Sequence, residues 1–190
     1  ETVAQVLSII ESYAFRKILV DNSTQGLSNL YISLAKEIKK EVNWKSEYLN
    51  ILNYVLLEKR ASQRFPNDEE LETSLINKDV YKFQSKNRNF LIESLENYKS
   101  LYPIDFDKTD YLSIEHIMPQ TLTPEWKAKL GDNWKEIHNK YLHTLGNLTL
   151  TAKNSELSNR DFEEKQKIDY QLSKLKLNFS VDNVELWSEE

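Results

Sequence analysis

Through its first hundred residues the chain repeats one pattern, apolar side chains spaced three and four apart. That spacing puts them on one face of an α-helix and disfavours strands. Residues 2–20 (TVAQVLSIIESYAFRKILV) place Val3, Val6, Leu7, Ile10, Tyr13 and Ala14 on such a stripe, and DNSTQG then interrupts it. Leu27, Leu30, Tyr31, Leu34 and Ile38 form a second stripe. Tyr48, Leu49, Leu52, Val55 and Leu56 form a third, over residues 45–59. In FPNDEELETSL, Pro66, Asn67 and Asp68 are start signals for a fourth helix, and residues 87–100 (NRNFLIESLENYKS) read as a fifth. With only three Gly and four Pro in 190 residues, the chain has few tight turns with which to break these helices. The stripes are core, and no chemistry is assigned to them.

The texture changes at LYPIDFDKTD, a loop, which separates a helical region (residues 1–105) from a second region (residues 106–190). YLSIEHIM reads as a strand, ended by Pro119, which has no N–H to donate. TLTPEWKAKLG opens a helix, with Thr123 as N-cap and Pro124 at the first helical position. DNWKEIHNKYLHTL continues as helix or loop, with Trp126 and Trp134 read as core and His138 as surface. GNLTLT alternates Leu148 and Leu150 with Thr149 and Thr151, which favours a strand, and Gly146 permits a turn or a close approach before it. NSELSNRDFEEKQKIDYQLSKL reads as helix, with Asn154, Ser158 and Asn159 as candidate caps and Phe162 as its core anchor. LKLNFSV, residues 175–181, alternates and reads as a short strand or extended segment. The fold class is therefore mainly α with a small β-hairpin.

Several function classes drop out. There is no cysteine, so disulfides, thiol catalysis and thiolate zinc sites are excluded, and a cytoplasmic protein is the expectation. No apolar run approaches the length that spans a bilayer. The formal net charge is −5, unlike a generic polyanion binder, although a small basic excess between His116 and Asn178 permits a phosphate-binding surface there. The chain starts with Glu and no signal-peptide pattern precedes it, so a piece of a longer protein is expected.

SIEHIMPQ, residues 113–120, places Glu115 and His116 between two isoleucines, where apolar residues would be cheaper. A His at the end of one strand can sit beside a carboxylate from its own strand and an amide from the next. The following helix supplies a further oxygen on the same side. One neutral imidazole with two or three oxygen donors suits a hard divalent cation together with a general base.

SIEHIMPQ followed by YLHTLGNLTLTAKNSELSNRDFEEK resembles the HNH (ββα-metal, His-Me finger) nucleases. More closely, it is similar to the C-terminal nuclease region of the GmrSD-type modification-dependent restriction proteins. The likeness runs upstream through FPNDEELETSL and ESYAFRKIL, but residues 113–165 carry its specific motifs. The resemblance implies a helical array followed by a ββα-metal core, and a metal-dependent DNA endonuclease using one Mg²⁺ or Mn²⁺. It implies His116 as the general base and Glu115 as a metal ligand, at a position where many HNH proteins have Asp. Asn147 matches the middle Asn of the H-N-H triplet, which holds the catalytic His and its strand by hydrogen bonds. The third position stays open between Asn154, slightly favoured, Asn159 and Glu156. Lys153, Arg160, Lys165 and Lys167 are placed to contact flanking phosphates, and each is equally well an ordinary solvated cation. His143 either approaches the DNA backbone or is a partly buried loop histidine. The resemblance further implies modified foreign DNA as substrate, a restriction or antiviral defence role, and an NTPase and sensor region outside this chain. The helical half would dock that partner or bind DNA. The competing readings are a non-catalytic helical module with a degenerate HNH site, and cleavage of RNA rather than DNA.

Overall fold

The computed structural model describes residues 2–21 and 25–188, and the chain divides into two compact units, residues 1–75 and 76–190. Residues 22–24 of the DNSTQG break lie outside the described residues.

Helices α1 (Thr2–Asp21), α2 (Leu27–Ile38) and α3 (Tyr48–Leu57), with the start of α4 (Asp68–Asn77), make the first unit. Tyr13, Leu30, Ile38, Leu52 and Leu56 are its buried centre, with Val6, Ile9 and Ile10 packed against it. The buried stripe of α1 thus runs through Val6, Ile9, Ile10 and Tyr13. Val3 and Leu7, read from the sequence as members of the stripe, lie off this face and are 72% and 62% exposed. Tyr31 of α2 is likewise largely exposed. Gly26, at φ 84°, supplies the left-handed turn into α2. The start of α4 is a capping box: Asn67 Oδ1 accepts from Glu70 N at 2.8 Å, and Glu70 Oε2 accepts from Asn67 N at 2.9 Å.

The second unit holds α5 (Ser85–Asn97), β1 (Ser113–His116), α6 (Pro124–Leu130), α7 (Trp134–Tyr141), β2 (Leu148–Thr151), α8 (Asn154–Leu157), α9 (Phe162–Lys165) and α10 (Lys176–Asp182). A 3-10 turn at Leu145–Asn147 leads into β2, and a π-helical turn, Gln166–Tyr170, prolongs α9. β1 and β2 pair antiparallel, with Glu115 opposite Thr149 and His116 opposite Leu148. Thr123 Oγ1 caps α6 by accepting from Trp126 N, with Pro124 at the first position. Trp126 is buried and donates from Nε1 to Arg160 O at 2.9 Å, while Trp134 is half-buried against the same core, which also holds Ile117, Met118, Leu157 and Phe162.

The division between units falls upstream of the change in texture at residues 105–106. The reason is a buried carboxylate. Glu96 of α5 accepts from Lys176 N and Leu177 N at 2.9 and 3.0 Å, capping the first turn of α10 and tying α5 to the C-terminal part of the chain.

Three local expectations are corrected. Residues 176–182 are helix α10 rather than a strand: Asn178 and Val181 are buried on one face, and Phe179, which made the alternation, is exposed. The stretch from Asn154 onward, read as helix with Asn154, Ser158 and Asn159 as candidate caps, breaks at Ser158, whose φ of 41° ends α8. Its second part is capped by Asp161, which accepts from Glu164 N at 2.9 Å, so neither Ser158 nor Asn159 is the cap, and Asn154 is the first residue of α8. Gly146 has no positive φ, and a side chain there would meet nothing within 4 Å, so neither turn strain nor a close approach requires glycine.

Candidate active site

Successive strand residues point to opposite faces, so Glu115 and His116 leave β1 in different directions. Glu115 turns inward. Its Oε1 accepts from Lys165 Nζ at 2.5 Å, and the same ammonium donates to His116 O at 2.8 Å. Lys165 has no exposed surface and Glu115 is 4% exposed. Burial pushes the Glu115 carboxyl up, against the pull of the Lys165 charge, and pushes the Lys165 ammonium down, against the pull of Glu115. The hydroxyl of Tyr170 nearby is buried without a hydrogen-bond partner, and burial raises its pKa.

His116 is 5% exposed and pairs through Nε2 with Nδ1 of His143 at 3.0 Å. Burial, reinforced by electrostatic contributions from the neighbouring His143 and Lys165, pulls its pKa down to about 4. The imidazole is therefore neutral at neutral pH, with Nε2 taken by His143. The Tyr81 ring covers both histidines, at 4.9 Å from His116 and 4.7 Å from His143, centroid to centroid. Val80 N donates to His143 O at 2.9 Å, which fixes the Tyr81 segment to this pair.

Asn147 is buried behind the hairpin. Its Oδ1 accepts from Met118 N at 2.7 Å and from Trp187 Nε1 at 3.0 Å. Its Nδ2 donates to Met118 O at 3.0 Å and Leu142 O at 2.9 Å, and its own carbonyl accepts from Ile117 N at 2.9 Å. The side chain clamps Met118 and the main-chain carbonyl holds Ile117, so Asn147 fixes the two residues that follow His116 rather than touching the imidazole.

Four of the residues singled out from the sequence, Glu115, His116, Asn154 and Asn159, line one cavity of about 290 Å³, with Ile114, Pro119, Gln120, Ser155 and Ser158. Asn154 Nδ2 donates to Ser113 Oγ at 3.0 Å and Ile114 O at 3.3 Å, which ties α8 to β1 and leaves Oδ1 as a free oxygen donor. Glu156 is not among the lining residues. Among the described residues no three His, Asp or Glu side chains gather as a metal-binding group, so any oxygen donors beyond Glu115 in this cavity are amides and hydroxyls.

The expected phosphate contacts are placed differently. Lys165, expected at the surface, is buried and committed to Glu115, because a carboxylate enclosed in the core needs a counter-charge. Lys153 is half-buried and donates to Ile168 O at 2.7 Å. Arg160 is exposed, bonded to Glu156 O and 3.6 Å from Glu164. Lys167 is exposed. His143 is a partly buried loop histidine bonded to His116, and His138, read as surface, is partly buried, with Nε2 3.0 Å from Pro119 O. Tyr81, Arg88 and Trp187 were not singled out from the sequence, since none lies in a motif and each arrives from a distant segment.

No curated protein matches the chain. A family model described as GmrSD restriction endonucleases, C-terminal domain, matches residues 65–190, a span that includes every residue of this site. The chain belongs to the C-terminal domain family of the GmrSD restriction endonucleases, nucleases whose substrate is DNA.

Proposed function

We propose that this chain hydrolyses DNA phosphodiesters at the cavity between β1 and α8, with His116 as general base and one divalent cation held by Glu115 and Asn154 or Asn159. The observation that carries the reading is that these four residues, from two separate sequence segments, line one cavity. A carboxylate oxygen, amide oxygens and room for water form a donor set that fits Mg²⁺ or Mn²⁺. When bound, such an ion would supply charge stabilisation at the phosphoryl group and the leaving 3′ oxygen.

The chain's own residues account for the rest. In the tautomer that carries its proton on Nε2, His116 donates to His143 Nδ1, and the lone pair of its Nδ1 is available to take a proton from the attacking water. Lys165 holds Glu115 in one orientation through Oε1. Asn147 holds Ile117 and Met118, so the end of β1 does not shift as charge develops. Modified foreign DNA as the substrate, recognised through an NTPase and sensor region elsewhere in a cytoplasmic restriction system, is the extension that the family likeness supports. The test is His116→Ala, which is expected to abolish metal-dependent nicking of plasmid DNA without loss of fold; cleavage at the wild-type level would overturn the assignment. The same assay on RNA decides the choice of nucleic acid.

The bond from Lys165 to Glu115 also favours a second reading, a DNA- or protein-binding module whose HNH site no longer takes a metal. Calorimetric titration with Mn²⁺ separates the two. Binding that is lost in Glu115→Gln supports the nuclease, and absence of both binding and nicking supports the module.

A further inference from the structure

Arginines in this chain pair with carboxylates: Arg16 with Asp68, Arg60 with Glu58, Arg64 with Asp21 and Glu70, and Arg160 with Glu164. Arg88, in the first turn of α5, is the exception among the described residues. It makes no ion pair, and its Nε is buried without a hydrogen-bond partner. Its guanidinium carbon instead lies 4.3 Å from the centroid of the Tyr81 ring, the ring that covers His116 and His143. An unpaired, partly buried guanidinium is costly to keep, and stacking on an aromatic ring recovers only part of that cost. Stacking does leave the planar fork of N–H donors free for an anion, and that fork matches phosphate oxygens in pairs.

We propose that Arg88, presented by Tyr81 beside the His116–His143 pair, binds a backbone phosphate of the DNA strand held at this site. The inference rests on the nuclease reading and adds a substrate-positioning residue to it. The ligand is a phosphodiester: the guanidinium fork pairs with phosphate oxygens, and a protein acidic overall needs a local unneutralised cation where the strand passes.

The test is equilibrium binding of the full chain to a labelled DNA duplex in EDTA, followed by fluorescence anisotropy over about 50–200 mM salt. Arg88→Gln is expected to weaken binding and to reduce the slope of log K against log salt by about 1. Arg88→Lys, which keeps the charge, is expected to keep the slope. Should Arg88→Gln fail to fold by circular dichroism, Arg88→Met, which retains the apolar stem under Tyr81, takes its place. In cleavage assays the neutral variant is expected to raise KM several-fold with kcat retained. A wild-type slope in the neutral variant, an equal loss in Arg88→Lys, or no DNA binding by the wild-type chain overturns the proposal. Because binding is read without cleavage, these outcomes are distinguishable from failure of the nuclease reading, which His116→Ala reports separately.

Discussion

Replacing Lys165 by Met tests the centre of this site. The ammonium is wholly buried and makes two bonds, one to Glu115 Oε1 at 2.5 Å and one to His116 O at 2.8 Å. Met preserves most of the volume of the stem, so the loss is electrostatic rather than a cavity. Breaking one side of a buried ion pair costs about 3–5 kcal/mol, because a charge is left without compensation. The orphaned His116 carbonyl falls within that range rather than adding to it. Glu115 has one escape, which is to take up a proton. Its pKa is already raised by burial, and removal of the Lys165 charge raises it further. A carboxyl whose folded pKa exceeds its unfolded value contributes stability below the unfolded pKa, and that stability is lost as pH rises through the folded pKa. The deficit of the variant relative to the wild-type chain is therefore expected to be largest near pH 8 and to shrink toward pH 5. Urea unfolding followed by tryptophan fluorescence suits the measurement, since Trp126, Trp134 and Trp187 lie in the second unit. With slopes of about 1–3 kcal/mol per M, the midpoint should fall by roughly 1–5 M. The double variant Glu115→Gln/Lys165→Met should regain a good part of the loss. A loss under about 1 kcal/mol at pH 8, or one that does not shrink toward pH 5, would refute the reasoning.

His116 gives the opposite pH dependence. Its folded pKa of about 4 lies below the ordinary value of 6.5, so the unfolded chain takes up the proton first. The stability this contributes is complete above the unfolded pKa and is lost as pH falls from about 6.5 to 4, a change on the order of 3 kcal/mol; His116→Gln should flatten that part of the stability curve in urea titrations. Asn147→Asp keeps the shape but cannot donate to Met118 O and Leu142 O, so a loss of about 2–4 kcal/mol in thermal or urea unfolding is expected, with nicking falling in parallel even where the variant remains folded.

Much of the architecture was legible locally. The stripes at Leu27, Leu30, Leu34 and Ile38, the Asn67–Glu70 capping box, the Thr123–Pro124 start and the Leu148–Thr151 alternation all lie within one or two turns or one strand, where spacing alone decides which face is buried. Errors arose where a short segment satisfied two periods at once. Residues 176–181 alternate like a strand, yet their buried pair, Asn178 and Val181, is helical, and the deciding cap is Glu96 in α5. Serine and asparagine near Ser158 looked like caps because both types compete for backbone N–H groups, but the positive φ at Ser158 passes the role to Asp161.

By itself the sequence determined the helices of the first hundred residues, the two strands of the hairpin, and the types of residue at Glu115, His116, Asn147, Asn154 and Asn159. Only the tertiary structure decided what each of them meets. Lys165 reads as a solvated cation on a charged helix, and it becomes the buried partner of Glu115 because β1 and α9 pack with that carboxylate between them. His143 reads from the sequence as a DNA contact or a loop histidine, and Tyr81 and Trp187 carry no motif, yet the first pairs with the imidazole of His116, the second covers it, and the third donates to the Asn147 clamp. Periodicity records which side of an element is apolar. It holds no record of which distant side chain fills the space opposite, because that choice is made by packing the whole unit at once.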